Sequence, residues 1–267
     1  MSSLESSKGC DNRSLNAEVR VVGIKGIPLI KPGDDLVTII CNAAEKQGTP
    51  ISGGDIIVIT SKIVSKSEGR IFKLKEVKVS PLAKRISKRT RKQPELVELI
   101  LRDAKSIVRM CGGHIITETR HGWTCANSAV DVSNVSGGDS ALLLPVDPDK
   151  SAKHIRQKIE ERLGKKIAII ISDTFGRPFR IGHTDVAIGS SGINPIFDMR
   201  GTKDLFNYDL RSKQTAIIDE LASAAELVIG NATEKIPVAI IRGYSYPVSE
   251  SLGATRIIMP RERNLFH

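Results

Sequence analysis

The sequence predicts a mixed α/β protein. Short, wholly apolar runs, typical of strands buried on both faces, alternate with segments of helical periodicity, and proline and glycine mark several helix starts and ends. With 267 residues, of which 40% are hydrophobic, the chain can bury a substantial core as one large domain or two typical ones. A disordered, collagen-like or disulfide-stapled chain is therefore excluded.

The first expected elements follow a polar, serine-rich tail at residues 1–17, which is predicted to be disordered. A short β-type run begins after Glu18, and residues 32–34 predict the start of a helix that continues to about Lys46. Residues 55–60 form a continuous apolar run that predicts a buried strand. Ser61 and Lys62 are thereby placed at the carboxyl end of that strand.

The middle of the chain predicts two helices and a hairpin. Ser80 before Pro81 is a helix-start signal, and residues 94–108 form a second amphipathic segment that predicts a helix. Residues 114–119 and 123–126 predict a β-hairpin. Residues 127–138 are small and polar without periodicity, and this stretch is too long for a simple turn.

The last third predicts a run of alternating strands and helices. The most apolar strand is expected at residues 167–171, and it is followed directly by Ser172, Asp173 and Thr174. Polar side chains at a strand end are a signal of a functional site. The other expected elements are strands at 142–144, near 186–188 and at 238–241, with helices at 151–163, ended by Gly164, and at about 213–228, closed by Gly230.

The net charge of +10 is concentrated in one segment. Between Lys62 and Arg109 there are 15 basic and 5 acidic residues, so this segment alone carries the whole excess. Such a block suggests a nucleic-acid-binding module as one alternative. It contains a single aromatic residue, Phe72, and no interleaved stacking set. A solvated basic face suited to anionic substrates is the preferred interpretation, and nucleic acid is disfavoured as a partner.

Several common site motifs are absent from the sequence. It contains no P-loop, no G-x-G-x-x-G dinucleotide fingerprint, no G-x-S-x-G elbow and no H-E-x-x-H zinc helix. The four cysteines form no C-x-x-C pair, and no apolar run is long enough to be a secretory signal or to span a membrane. We therefore expect a cytoplasmic protein with no membrane partner.

The remaining candidate side chains suit hard cations and phosphate. Asp131 and Asp173 could hold Mg²⁺ or Mn²⁺ against a nucleotide. An Asx-turn or helix cap is the more common role of a loop aspartate; it is favoured for Asp131 and is as plausible as metal binding for Asp173. Arg177 and Arg180 follow Asp173 and suit phosphate, although surface salt bridges explain them equally well.

Seven strings support a more specific interpretation, and they occur in one order between about residues 19 and 243. They begin with Gly-Ile-Pro-Leu and include Asp-Val-Ser-Asn-Val and Ser-Asp-Thr-Phe-Gly-Arg-Pro-Phe-Arg. The strings lie at residues 26–29, 61–70, 131–135, 143–149, 172–180, 219–222 and 236–243. In these positions the chain resembles the coenzyme F420-0:L-glutamate ligase family.

The resemblance implies an activity and an assembly. It implies a GTP-dependent ligase that joins L-glutamate to the lactyl carboxylate of coenzyme F420-0, a deazaflavin, and then adds further glutamate by γ-linkage. It also implies a two-lobed fold, an intertwined homodimer, two divalent cations (Mg²⁺ or Mn²⁺) and an assisting K⁺. The catalytic region is expected at residues 18–250, with a C-terminal segment at 251–267. A family member with a different carboxylate acceptor remains an alternative.

The family pattern also assigns roles to individual residues. Asp131 and Asp173 match ligands of one metal ion, and Thr174 and Asn231 match ligands of the other, where the family usually has Glu or Gln in place of Asn231. Lys66, Arg177 and Arg180 are expected to stabilise charge during phosphoryl transfer, together with the two aspartates. The matched nucleotide-binding positions are Gly26, Ile27, Pro28, Leu29, Ser61, Lys62, Lys66, Asn134, Ile229, Gly230, Asn231, Ala232, Thr233, Glu234, Lys235 and Ile236.

Overall fold

A computed structural model describes residues 18–133, 135 and 139–265. The tail predicted at residues 1–17 and the predicted nucleotide contact Asn134 lie outside the described residues. The strands are β1 (Arg20–Gly23), β2 (Ile56–Thr60), β3 (Ile71–Lys73), β4 (Ala104–Cys111), β5 (His114–Thr119), β6 (Thr124–Ala126), β7 (Ser140–Leu142), β8 (Ala168–Gly176), β9 (His183–Ser191), β10 (Phe197–Asp198), β11 (Gln214–Thr215) and β12 (Val238–Arg242). The helices are α1 (Leu36–Lys46), α2 (Ser61–Ser67), α3 (Pro81–Thr90), α4 (Pro94–Asp103), α5 (Pro148–Leu163) and α6 (Ile217–Ile229).

The core is built on a mixed sheet with the strand order β1-β12-β2-β8-β9. β2 and β8 are parallel, with Thr60 opposite Ser172, whereas the other neighbouring pairs are antiparallel. The four residues from Ile56 to Ile59 are fully buried, because this central strand is covered on both faces. The predicted α/β class and the buried strand at residues 55–60 are therefore confirmed.

Three helices enclose this sheet. α6 packs against all five strands, α5 packs against β8 and β9, and α1 packs against α5. Asp35 caps α1 by accepting hydrogen bonds from the backbone N–H groups of Val37 and Thr38, so this helix starts slightly later than predicted. Asp147 caps α5, whose end at Gly164 is as expected. Within the described ranges, no helix has the length and apolar character needed to span a membrane.

A second region contains smaller apolar clusters. α3 and α4 pack on the sheet β4-β5-β6 around Ala83, Val97 and Ile115, and β3 pairs with β7. Four basic side chains of α3 are exposed on its surface, namely Lys84, Arg85, Lys88 and Arg89. The predicted hairpin at 114–126 is confirmed as β5 and β6. The two-lobed description and the homodimer stay predictions.

Several predicted element boundaries were wrong. The helix predicted at residues 94–108 ends at Asp103, because the following residues pair with β5 as the strand β4. The strand predicted to end at Ile171 continues to Gly176, because β9 keeps pairing with it as far as His183. The helix predicted from about residue 213 begins at Ile217, since Gln214–Thr215 pairs with β10. In each case pairing between strands overrides local periodicity.

The C-terminal segment is tied to α5. Arg156 is buried and contacts Glu160 on its own helix, Ser191 on β9 and Glu250 near the start of the segment. Asp149 accepts hydrogen bonds from the backbone N–H groups of Ser190 and Ala254. The segment is therefore held against the core by a buried guanidinium group and a half-buried carboxylate.

Candidate active site

The site begins where β2 passes directly into α2. Thr60 ends the strand, and Ser61 starts the helix. Because Thr60 lies opposite Ser172 in the parallel pair, Ser61 comes next to Asp173, and its Oγ donates a 2.6 Å hydrogen bond to Asp173 Oδ1. Two motifs separated by 112 residues in the chain thus meet through side chains.

A second carboxylate lies beside Asp173. Lys62 Nζ is 2.8 Å from Asp131 Oδ2 and donates a 3.0 Å hydrogen bond to Ser133 Oγ. Asp131 also accepts a 2.7 Å hydrogen bond from the backbone N–H of Ser133, which is the Asx-type turn considered from the sequence. Asp131 therefore has both a local turn role and a place near Asp173.

The two aspartates have opposite electrostatic settings. Burial raises the pKa of Asp173 to about 7, the Ser61 hydrogen bond acts against this, and the Asp185 and Asp131 carboxylates raise it further. Burial also acts to raise the pKa of Asp131, but hydrogen bonds from Lys62 and Ser133 outweigh it and hold that pKa below its usual range. Asp173 is thus a half-buried carboxyl whose ionised form lacks sufficient compensation from the protein alone.

Thr174 organises a third group of oxygens. Its Oγ1 donates a 2.7 Å hydrogen bond to Asp185 Oδ1 and lies 3.2 Å from Asn231 Oδ1. Asn231 Nδ2 donates to Glu226, a residue of α6. The two side chains that the family pattern assigns to one metal ion, Thr174 and Asn231, are therefore adjacent.

A pocket of about 550 Å³ is lined by Ser61, Asp173, Thr174 and Asn231, whereas Asp131 is not among its lining residues. Gly26 precedes one wall and has a positive φ of 78°, and Gly230 in the opposite loop has a φ of 70°. The positive φ of Gly230 favours glycine, since other residues rarely adopt it, and a Cβ there would also displace the flexible Glu234 side chain. The predicted residues that line the pocket are Ile27, Pro28, Leu29, Ser61, Lys62, Lys66, Asp173, Thr174, Ile229, Gly230, Asn231, Ala232, Thr233, Glu234, Lys235 and Ile236.

Positive charge is concentrated on one side of this pocket. Lys62 and Lys66 lie one helical turn apart on α2. Burial lowers the pKa of Lys66, and the neighbouring Lys62 ammonium lowers it further. A polyphosphate bound nearby would reduce the repulsion between these two ammonium groups, because it adds negative charge to that of Asp131.

Arg177 and Arg180 are not brought to this pocket. They lie in the exposed turn between β8 and β9, where Arg177 Nη2 donates a 3.3 Å hydrogen bond to the carbonyl oxygen of Ile181. In the described part of the chain, neither arginine lines the pocket. The reason is that β8 runs on for three residues beyond Asp173 before the chain turns.

Asp185 and Glu226 belong to the site but were not identified from the sequence. Asp185 lies on β9 and accepts hydrogen bonds from Ser172 and Thr174. Burial raises its pKa, and the Glu226 carboxylate adds to this effect. An aspartate next to the apolar run at 186–188 was a signal that could have been followed, whereas Glu226 has no comparable sequence signal.

The donor atoms fit hard divalent cations. They are carboxylate, hydroxyl and amide oxygens, which Mg²⁺ and Mn²⁺ prefer. Within residues 18–133, 135 and 139–265, no three or more His, Cys, Asp or Glu side chains are arranged to hold a metal ion. Mg²⁺ is commonly held by one or two carboxylates with substrate phosphates completing its shell. The arrangement is therefore suited to ions that arrive with a nucleotide.

Comparison with known proteins gives a consistent result. The family model described as F420-0:Gamma-glutamyl ligase matches residues 23–243. Three similar proteins are each named Coenzyme F420:L-glutamate ligase. The one from Methanothermobacter thermautotrophicus is 45% identical over 93% of this chain and 98% of its own. Those from Methanocaldococcus jannaschii and Methanosarcina acetivorans are 44% and 39% identical over 93% and 91% of this chain, and over 97% and 93% of their own lengths.

Proposed function

Because the chain belongs to the F420-0:gamma-glutamyl ligase family, we propose that it joins L-glutamate to the lactyl carboxylate of coenzyme F420-0 at the expense of GTP, and then adds further glutamate by γ-linkage. The observation that carries this proposal is the meeting of Ser61, Asp131, Asp173 and Thr174 beside a pocket lined by three lysines. That combination suits a nucleoside triphosphate with bound cations.

A free carboxylate must be activated before an amine can form an amide with it, because hydroxide is a poor leaving group. The carboxylate oxygen of the acceptor attacks the γ-phosphorus of GTP, and GDP leaves with the electron pair of the broken P–O bond. The glutamate amine then attacks the carbonyl carbon of the acyl phosphate. Inorganic phosphate departs with the C–O electron pair, the nitrogen loses its proton, and an amide remains.

The protein contributes mainly position and charge. Lys62 and Lys66 face the pocket and are suited to hold the phosphates, while the loop at residues 229–236 and the wall at 27–29 enclose the nucleotide. Asp131 and Asp173 would hold one divalent cation, and Thr174 with Asn231 the other. Such ions, assisted by K⁺, would neutralise phosphate charge when bound.

The proposal includes a homodimer in the cytoplasm. Support for self-association comes from large apolar side chains that are left in water. Phe179 and Ile181 at the β8–β9 turn are 89% and 102% exposed, and Leu205 and Phe206 are 97% and 89% exposed. Light scattering on the purified chain should give twice the 29.0 kDa mass of the chain, and a monomer at micromolar concentration would remove this part of the proposal.

The main test is product formation. The purified protein is incubated with coenzyme F420-0, L-glutamate, GTP and Mn²⁺, and the products are examined by mass spectrometry for one and then more added glutamyl units. Reactions without GTP, and with ATP in its place, test the nucleotide requirement. Failure to form any glutamylated product with GTP present would contradict the proposal.

The same experiment separates the alternative acceptor. GDP release that depends on a different carboxylic acid, without glutamylation of F420-0, would favour a family member with a changed substrate. Hydroxylamine added to the reaction without glutamate should trap the acyl phosphate as a hydroxamate. The absence of that hydroxamate in an otherwise active enzyme would argue against the acyl-phosphate step.

A further inference from the structure

A second cavity of about 690 Å³ lies beside the nucleotide pocket, within the range of small-molecule sites. Its walls come from four parts of the chain: the sheet β4-β5-β6, the hairpin β8–β9, α6 and the C-terminal segment. Nothing in the proposed nucleotide and metal chemistry uses this cavity. It is therefore a separate volume to which the proposed nucleotide and metal chemistry assigns no ligand.

The cavity adjoins the reacting end of the nucleotide pocket. Val186, which lines it, is the direct pairing partner of Asp173, and Phe175, which also lines it, is two residues further along β8. Alternate residues of a strand share a face and lie about 6 to 7 Å apart. A molecule in the cavity could thus extend one end to Asp173 without crossing the sheet.

The walls combine aromatic and aliphatic surface with a few polar groups. Trp123 and Phe175 contribute rings, and Ile258 and Met259 from the C-terminal segment lie among the other lining residues. Trp123 is 8% exposed, and its Nε1–H has no acceptor among the described residues. The indole N–H itself is inaccessible to solvent, so the ring surface of Trp123 is what it offers to a molecule in the cavity.

Charged groups are placed at different depths. Lys105 and Arg261 are exposed lining residues; Lys105 is paired at 2.7 Å with Glu118, which also lines the cavity, so Arg261 is the cation better suited to an anionic group of the ligand. Asp219 on α6 is half-buried and accepts a 2.9 Å hydrogen bond from the backbone N–H of Ala187, and burial raises its pKa. This carboxyl group can accept a hydrogen bond from a ring N–H. The lining as a whole is too large and too apolar for free glutamate alone.

We propose that this cavity binds the flat heteroaromatic ring system of the carboxylate acceptor, with its anionic arm directed towards Asp173. The inference rests on the proposed ligase function, because that function supplies an acceptor that carries a deazaflavin ring. It also gives the C-terminal segment a role, since Ile257 to Arg261 form one wall although they lie outside the region 23–243 that matches the family model.

The first test fills the cavity. Val186→Phe places a ring in the volume at a half-buried side chain that also packs against the main core, and Val248→Phe makes the same change at a side chain that is 70% exposed and does not line the cavity. Trp123 is the only tryptophan in the chain, so its fluorescence reports on the cavity. Coenzyme F420-0 should quench this emission saturably in the wild type and in V248F.

The expected result is a rise of at least about tenfold in the dissociation constant of F420-0 for V186F, the size of effect that one misfitting group causes in an apolar pocket. The affinity of V186F for a fluorescent GTP analogue should be unchanged, which also shows that the variant is folded. Unchanged F420-0 affinity in V186F would overturn the inference. Weakened binding of glutamate with unchanged F420-0 affinity would assign the cavity to the amino acid instead.

A milder pair of variants guards against misfolding. Arg261→Ala removes an exposed lining charge, and Arg263→Ala removes its neighbour in the same short 3₁₀ turn, which does not line the cavity. R261A should weaken F420-0 binding by about threefold, as expected for an exposed ion pair, and R263A should not. The deazaflavin chromophore without its lactyl arm should lose this difference. Equal affinities for F420-0 in both variants would contradict a contact between Arg261 and the anionic part of the acceptor.

Failure of this inference can be told apart from failure of the proposed function. If the wild type glutamylates F420-0 and V186F does so with an unchanged KM for F420-0, the ligase function stands and the cavity assignment falls. If the wild type binds F420-0 at the cavity but forms no glutamylated product, the cavity assignment stands and the function falls. If the wild type neither binds nor modifies F420-0, both fall.

Discussion

Asp173 and Arg177 lie four residues apart on one hairpin, yet their surroundings differ sharply. Asp173 is half-buried, contacts Ser61 across the parallel pair β2–β8 and lines the pocket of about 550 Å³. Arg177 is exposed and donates a hydrogen bond to the carbonyl oxygen of Ile181, in the same turn. Arg180 is exposed as well. The comparison shows that a residue close in sequence to a site residue need not belong to the site. The contacts that a residue makes across the sheet determine whether it does.

Replacing the buried acid should have the largest effect. Asp173→Asn keeps the shape of the side chain but removes the charge that would hold a cation against the phosphates. We expect kcat/KM to fall by about 100-fold to 1,000-fold, the range found when a single charge-stabilising group is removed. GDP release and glutamyl addition are both measured, at several Mn²⁺ concentrations. Near-normal, metal-dependent turnover in D173N would remove Asp173 from the site.

The same substitution, which should lower activity, should raise the stability of the folded protein above neutral pH. Burial raises the pKa of Asp173 from 3.8 to about 7, so the folded state binds this proton more tightly than the unfolded state. The free energy of unfolding of the wild type should therefore fall as the pH rises from about 4 to about 7. D173N lacks this loss, so it should be more stable than the wild type at pH 8, by about 2 kcal/mol, and indistinguishable near pH 4. Urea unfolding in EDTA without nucleotide checks this, and equal pH dependence would contradict the burial of this carboxyl.

Removing the partner of Asp173 should have a smaller effect. Ser61→Ala deletes the 2.6 Å hydrogen bond that favours the ionised carboxylate. Activity should drop by about fivefold at low Mn²⁺, consistent with about 1 kcal/mol for such a bond, and recover as Mn²⁺ is raised. Ser67→Ala is the matched control, because Ser67 Oγ donates only to the carbonyl oxygen of Val64 in the same helix. An equal loss in both variants would point to a general effect on α2.

The exposed arginines should matter least. The double variant Arg177→Ala and Arg180→Ala should keep kcat/KM within about twofold, since exposed charges contribute little. Steady-state rates at saturating and limiting GTP test this against D173N. A loss of 100-fold or more would instead mean that the turn at 177–182 reaches a site in the assembled enzyme, and would restore the sequence-based assignment of both arginines.

The sequence was most informative where local chemistry and buried pairing agree. The apolar run at residues 55–60 could only form a covered strand, and its register with β8 brings Ser61 to Asp173. The cap at Ser80 was recognisable because a proline follows it at the first helical position. These features depend on a few adjacent residues, which a single sequence contains.

Other features depend on partners that are distant in the chain. β4 was read as part of a helix, because its pairing with β5 leaves no local signal. Asp185 and Glu226 escaped notice because their role comes from the packing of α6 on β9. Arg177 and Arg180 were assigned to the site because they follow Asp173 in the sequence. They lie outside the pocket because β8 continues to Gly176 before the chain turns. Single-sequence reasoning lacks the contacts that decide such cases.

The ion pair between Arg156 and Glu250 indicates how far towards the C-terminus the chain is needed for a stable fold. A chain cut after residue 243, where the family match stops, would leave a guanidinium that is 2% exposed without one of its two carboxylates, and Asp149 without its backbone donor at Ala254. A buried charge that keeps only part of its compensation destabilises a fold. Truncation at the homology boundary should thus yield an insoluble or partly unfolded product, and boundaries for recombinant expression are better chosen by electrostatic partnership than by alignment.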